Sequence, residues 1–227
     1  MDKNKPFELE KLRFARFSEV NELRAIEPGE GEKKVYAVEG YAIVYEQTTN
    51  IGGWFKEVVK RGALDGCDLT DVPLFIHHNG RTIPLARSRN NNKNSTMRLT
   101  PDNKGLHFRA ELDVENNAEA KSLYSAISRG DISGMSYAFR AKDEKWLDID
   151  KEVPTREILK FSKIGEISAL WSPQYKGTII KEARAEALDS ADQAALDSAR
   201  ATLESEKNEQ KELEALKKEI LIGGQLK

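Results

Sequence analysis

The sequence predicts an α+β protein that is mainly β: a closed or sandwiched antiparallel β-barrel core with a few flanking helices, followed by a C-terminal helical tail. Three observations predict it. Between about residues 22 and 171, short runs rich in Val, Ile, Phe and Tyr are punctuated by Gly, Pro and Asn, the pattern of many short strands. Within that stretch only Ala118 to Arg129 carries a clear apolar stripe at helical spacing. From about Lys181 the composition turns to Ala, Glu, Lys, Leu and Ser, with no aromatic residue and no proline before the end. A chain of 227 residues holds one well-buried domain of ordinary size plus an appendage. The expected division is an N-terminal arm (1–20), a folded domain (21–182) and a charged helical tail (183–227).

Taken in order, residues 1–20 are charged with a few aromatic positions (Phe7, Phe14, Phe17) and read as an arm or an irregular edge. Glu22 to Ile26 and Val35 to Tyr45 flank a Pro- and Gly-bearing turn, which predicts a hairpin interrupted at Gly40 by a bulge or a close backbone approach. The pair Gly52-Gly53 enters a short amphipathic segment that Gly62 can stop. Val72 to Ile76 reads as a buried strand ending in the polar His77-His78-Asn79. Met97 to Leu99 and Leu106 to Leu112 predict a second hairpin around Pro101-Asp102-Asn103-Lys104-Gly105. In the helix 118–129, Ala120, Leu123, Tyr124 and Ile127 form the apolar stripe and Gly130 takes the C-terminal cap. A strand opens at Ser136, and Lys142 to Thr155 reads as a polar loop. Ile158 to Phe161 and Ile164 to Trp171 then read as two further strands. In the tail, Leu196, Leu203, Leu213, Leu216 and Ile220 are apolar, but Glu206 and Gln210 break the seam, so a long, mostly solvated helix is expected.

Several function classes find no support. The formal net charge of -2 supplies no field for nucleic acid or anionic lipid, and Lys-Arg clusters do not interleave with aromatics. No apolar run reaches the length of a membrane span, and the first residues lead into no signal-peptide core, so a cytoplasmic protein is the default. The single cysteine, Cys67, makes neither an internal disulfide nor a thiolate metal site alone. His77 and His78 are strand neighbours facing opposite ways, which makes them a poor chelate; neither a metal nor a cofactor is expected. Gly-rich phosphate loops and a GxSxG elbow are absent.

Three residues carry possible chemistry. Ser136 follows Met135 and precedes Tyr137 in a strand whose large apolar side chains alternate with it, so it need not face the core. Its hydroxyl is a weak nucleophile until a base takes the proton, and His78 is a candidate base. An imidazole base must in turn be held in one tautomer. Glu166 is a carboxylate inside an otherwise apolar strand. Each has a plain structural alternative: a structural serine, a histidine at a strand end, and a glutamate on a solvated face.

The order of motifs resembles the prohead proteases of tailed bacteriophages, serine peptidases that share a fold with herpesvirus assemblin. Gly40-Tyr41-Ala42-Ile43-Val44-Tyr45 is similar to the family's first core strand, and Gly52-Gly53-Trp54-Phe55 through Arg61-Gly62-Ala63-Leu64 to its glycine-aromatic-acidic segment. Phe75-Ile76-His77-His78-Asn79 with Leu85-Ala86-Arg87 resembles its His-Asp/Asn motif and downstream Leu-Gly-Arg. Gly105-Leu106-His107-Phe108, Ile127 through Phe139, and Glu166-Ile167-Ser168 with Pro173-Gln174-Tyr175 continue the series. The likeness runs from about residue 20 to about residue 185, which makes the 21–182 segment the protease domain. Alanine stands at Ala86 and Ala138 where the family has glycine, a strained choice if either backbone needs positive φ.

The resemblance places the nucleophile on Ser136 and the general base on His78, which directly precedes Asn79 as the family histidine precedes Asn or Asp. It places the third member on Glu166; Arg87, close in sequence to the His78 strand, and Asn79 are candidates for oxyanion or orienting support. It implies an endopeptidase acting through an acyl-enzyme inside the immature capsid, in the host bacterial cytoplasm. The implied partners are the major coat protein, the scaffold protein or scaffolding segment, and further copies of itself, which it also cuts; no nucleic acid or membrane is involved. The tail would either direct the enzyme into the shell or be a removable extension. The rival reading is a non-catalytic, scaffold-like assembly protein acting through that tail.

Overall fold

Strand β11 (Thr155–Leu170) is the spine of the molecule in its computed structural model, which describes residues 13–18, 22–27, 35–171 and 190–223. It is long enough to serve three neighbours. Along its whole length it pairs antiparallel with β10 (Gly134–Leu147). On its other side it takes β5 (Phe55–Val59) near its start and β6 (Val72–Ile76) near its end, both parallel. β1 (Arg13–Ser18) lines the far edge of β10, β4 (Thr48–Ile51) that of β5, and β7 (Ala86–Ser88) that of β6, completing a seven-stranded sheet. A second, four-stranded antiparallel sheet runs β2 (Arg24–Ile26), β3 (Tyr36–Val44), β9 (Gly105–Leu112), β8 (Met97–Pro101). The protein is therefore mainly β with two sheets, and its described strands close no barrel. The larger sheet is mixed rather than purely antiparallel, because β5 and β6 both return to β11 by long connections.

Both expected hairpins form, β2–β3 and β8–β9, and the turn of the first lies outside the described residues. In the second, Gly105 is required by a close approach: a Cβ there would stand 1.9 Å from the Ile43 carbonyl oxygen, beside the register shift of β3. Helix α1 (Ala118–Arg129) starts at Asn117, whose side chain accepts from the Glu119 and Ala120 N–H groups. It stops at Gly130, which at φ 79° adopts the left-handed cap. Its buried stripe is Ala120, Leu123 and Ile127, and the Tyr124 hydroxyl donates to the Ile26 carbonyl at 3.0 Å.

Four stretches depart from the sequence-based expectation or sharpen it. The segment after Gly52-Gly53 is strand β5, whose Phe55, Glu57 and Val59 point inward while Lys56 is exposed. Half of the loop expected over Lys142 to Thr155 is strand, because β10 runs on to Leu147 and its partner begins at Thr155. Trp146 explains the extension: its ring packs edge-on against Phe55 at 5.2 Å and gives an otherwise polar arm an apolar anchor. The two strands expected between Ile158 and Trp171 are one. Part of the expected N-terminal arm, residues 13–18, is sheet edge.

The core lies between the sheets and is dominated by Ile43, Leu74, Leu106, Phe108, Leu123, Met135, Phe139, Ile158 and Phe161. It also encloses an ionic group. Arg156 on β11 is 1% exposed and faces Glu57, its direct ladder partner on β5, through Nε at 2.9 Å and through Nη2. Its Nη1 donates to Asp192 at 2.5 Å. Burial opposes the charge on the guanidinium, but the two carboxylates outweigh it and hold Arg156 above its ordinary value. Asp192 belongs to the first turn of α2 (Ser190–Gly223), and Leu196 one turn on is also buried, whereas most of the helix beyond is exposed. The expected C-terminal helix is present, with its N-terminal turns anchored in the interior.

Candidate active site

Three adjacent strands bring the polar residues together. On β11, Glu166 and Ser168 are two residues apart and so project from the same face. Ser168 lies directly opposite Ser136 of β10, and Glu166 opposite Ala138, so the small side chains leave room beside the carboxylate. On the other side of β11, Ser168 is aligned with Phe75 of β6, and the chain leaves β6 at Ile76 straight into His77 and His78. The other face of the β10 segment carries Met135, Tyr137 and Phe139 into the core, which fixes the hydroxyl of Ser136 on the site side.

His77 and His78 are a turn, not the continuation of a strand. Both have positive φ, 51° and 55°. A left-handed conformation costs a non-glycine residue about 1 kcal/mol or more, so two in succession need support from their surroundings. The support is in place: the His77 N–H donates to the Ala169 carbonyl at 3.2 Å and the His78 N–H to Ser168 Oγ at 3.1 Å. The Asn79 and Gly80 N–H groups close the turn on the Ile76 and His78 carbonyls. Strand alternation therefore does not decide which imidazole faces the site; the turn carries the His78 ring back over β11.

The result is a continuous hydrogen-bonded line. Ser136 Oγ is 2.7 Å from His78 Nε2, and His78 Nδ1 is 2.5 Å from Glu166 Oε1. An ionised carboxylate only accepts, so opposite it the Nδ1–H tautomer is the one that fits, with Nε2 accepting from the serine hydroxyl. Ser168 Oγ donates to the second carboxylate oxygen, Oε2, at 2.6 Å. Ser136 and Ser168 are fully buried and the Glu166 side chain is 3% exposed, whereas the His78 side chain is 21% exposed and forms the solvent side of the group. A carboxylate this buried is tolerated only with donors, and each Glu166 oxygen has one.

The remaining expected residues lie elsewhere. Arg87 is on β7, where its Nε and Nη2 both donate at 2.6 Å to the carboxylate of Asp71 and hold it below the usual carboxylate range. The Asn79 side chain accepts from the Arg81 N–H within its own loop at 3.4 Å. Neither side chain is hydrogen-bonded to Ser136, His78 or Glu166. Ala86 and Ala138, at the two positions of family glycines, are buried strand residues without positive φ, so neither is strained. The Pro173-Gln174-Tyr175 motif lies outside the described residues. Among the described residues no group of three or more His, Cys, Asp or Glu side chains is gathered as metal ligands would be, and no helix is long and apolar enough to cross a membrane. Ser168 belongs to the Glu166-Ile167-Ser168 motif but carries no role among the sequence-based expectations; its spacing of two from Glu166 on a strand is the available signal.

A family model described as Caudovirus prohead serine protease matches residues 21–193. No curated protein and no solved structure matches the chain.

Proposed function

The chain belongs to the Caudovirus prohead serine protease family, and from that membership we propose that it is an endopeptidase whose nucleophile is Ser136, whose general base is His78 and whose third member is Glu166. The observation that carries the assignment is the bridging imidazole, with Nε2 at 2.7 Å from Ser136 Oγ and Nδ1 at 2.5 Å from Glu166 Oε1.

In this reading Ser136 Oγ attacks the scissile carbonyl carbon while its proton passes to His78 Nε2. The imidazolium so formed is stabilised by the Glu166 carboxylate at Nδ1. As the C–N bond breaks, the Nε2 proton goes to the leaving amine and an acyl-Ser136 ester remains. Water then attacks the ester, Nε2 takes its proton, and collapse releases the new carboxyl terminus with the proton returned to Ser136. Charge developing on the carbonyl oxygen calls for N–H donors. Arg87 and Asn79 are not assigned that part, since both side chains are engaged away from the serine.

The substrates proposed are scaffold and coat-protein segments within the immature capsid, and the protease itself. The test is intact mass over time for wild type and Ser136→Ala, each co-expressed with coat and scaffold proteins. Defined fragments lost in wild type alone support the reading. Equal processing by both removes the serine mechanism, and no processing by either favours a non-catalytic assembly protein.

A further inference from the structure

We propose that Ser168 is a positioning residue of this site, a single hydroxyl that fixes both the carboxylate and the base; the proposal rests on the assignment of Ser136, His78 and Glu166 above. Ser168 Oγ gives its only proton to Glu166 Oε2 at 2.6 Å and accepts the backbone N–H of His78 at 3.1 Å. The first bond sets the rotation of the carboxylate, leaving Oε1 aimed at His78 Nδ1. The second holds the α-carbon of His78 in its left-handed conformation, φ 55°, next to another left-handed residue, His77. Ring and carboxylate are thus referenced to one atom. That atom lies on β11, between the strand bearing Ser136 and the strand leading to His78.

A buried serine in a strand commonly satisfies its hydroxyl on any nearby acceptor, and such a serine is structural. Ser168 differs in where its two bonds end. Both terminate on members of the proposed triad, and its own ladder partner is the third, Ser136. With the hydroxyl removed, Glu166 Oε2 loses its donor and the His78 N–H its acceptor, in a site where neither group meets bulk water freely. The base should drift by a fraction of an ångström, and misplacement on this scale costs on the order of 10- to 100-fold in rate.

The test compares wild type, Ser168→Ala, Ser168→Thr and Ser168→Cys as full-length chains. Two readouts are taken: the processing rate of co-expressed coat and scaffold proteins, and the low-field proton resonance of His78 Nδ1–H, assigned by its disappearance in His78→Gln. Ser168→Ala should melt cooperatively, process about 10- to 100-fold more slowly and lose or shift the resonance. Ser168→Thr, which keeps a hydroxyl, should recover both. Wild-type rate and an unmoved resonance in Ser168→Ala would overturn the proposal. Should Ser168→Ala fail to fold, Ser168→Cys decides, since a thiol is a weak donor of similar size: wild-type behaviour overturns the proposal and a slowed rate with a shifted resonance supports it. Ser136→Ala is run beside them. Its continued processing would remove the triad reading, while the resonance, which needs no turnover, still reports on what Ser168 holds.

Discussion

Ser136 and Ser168 stand directly opposite one another in the β10–β11 ladder, both fully buried, yet only Ser136 reaches the ring of His78. The difference is set by what lies beyond each. Ser168 is two residues from Glu166 on its own strand and turns its proton to that carboxylate, whereas the imidazole leans over β11 toward Ser136. Two chemically identical groups at equivalent ladder positions are thereby given separate tasks: one is poised to lose its proton to a base, and the other is committed as a donor.

Glu166→Gln should leave the fold intact and suppress processing. The amide keeps the shape of the carboxylate but cannot stabilise an imidazolium, and it presents a donor as well as an acceptor to Nδ1. A loss on the order of 10⁴-fold in turnover is expected from a wrong tautomer. Thermal melting within a few degrees of wild type, beside processing measured by intact mass, checks both halves of the statement.

Arg156→Ala should destabilise the protein by about 3–5 kcal/mol, because it strands two buried carboxylates, Glu57 and Asp192, without their cation. Replacing Asp192 by Ala leaves the Arg156–Glu57 pair in place and releases chiefly the start of α2. The second variant should therefore unfold closer to wild type in denaturant but yield α2 sooner to limited proteolysis.

Burial pushes the Cys67 thiol up to about 11. At pH 8 the thiolate fraction is then roughly one in a thousand, so alkylation of the native protein by iodoacetamide should be far slower than that of the denatured chain. The sign for stability follows from the same shift. The thiol adds nothing unfavourable below its ordinary value of 9.0, and stability falls as pH rises from there through about 11, because the unfolded chain ionises first. Cys67→Ala should flatten that alkaline loss in chemical denaturation.

Local chemistry made much of the fold legible. The apolar stripe and Gly130 mark α1, and the Gly and Pro turns mark both hairpins, because those signals act within a few residues. Long-range pairing was not legible. Nothing in Phe55 to Val59 or Val72 to Ile76 announces a parallel partner, and the expectation of an antiparallel barrel gives way to a mixed sheet with β11 at its centre. Arg156 falls between the expected loop and the strand expected from Ile158, and its burial depends on Asp192, far along the chain in a segment that reads as solvated.

At the site, residue identities could be read, and the means of bringing them together could not. Ser136, His78 and Glu166 stood out as a hydroxyl, a base and an acid in apolar surroundings. The left-handed turn at His77 and His78 did not, since histidine, although it enters the left-handed region more often than most side-chain-bearing residues, does so far less readily than glycine. That turn forms because β11 offers it an acceptor at Ala169 and another at Ser168.

The measurement that most directly tests the central claim is the site of covalent labelling by a small alkyl fluorophosphonate, mapped by peptide mass in wild type and in His78→Gln. The account predicts one adduct, on the peptide containing Ser136, formed at least about 1,000-fold more slowly in His78→Gln. An adduct on a different serine, or one formed at equal rates in both proteins, would contradict it.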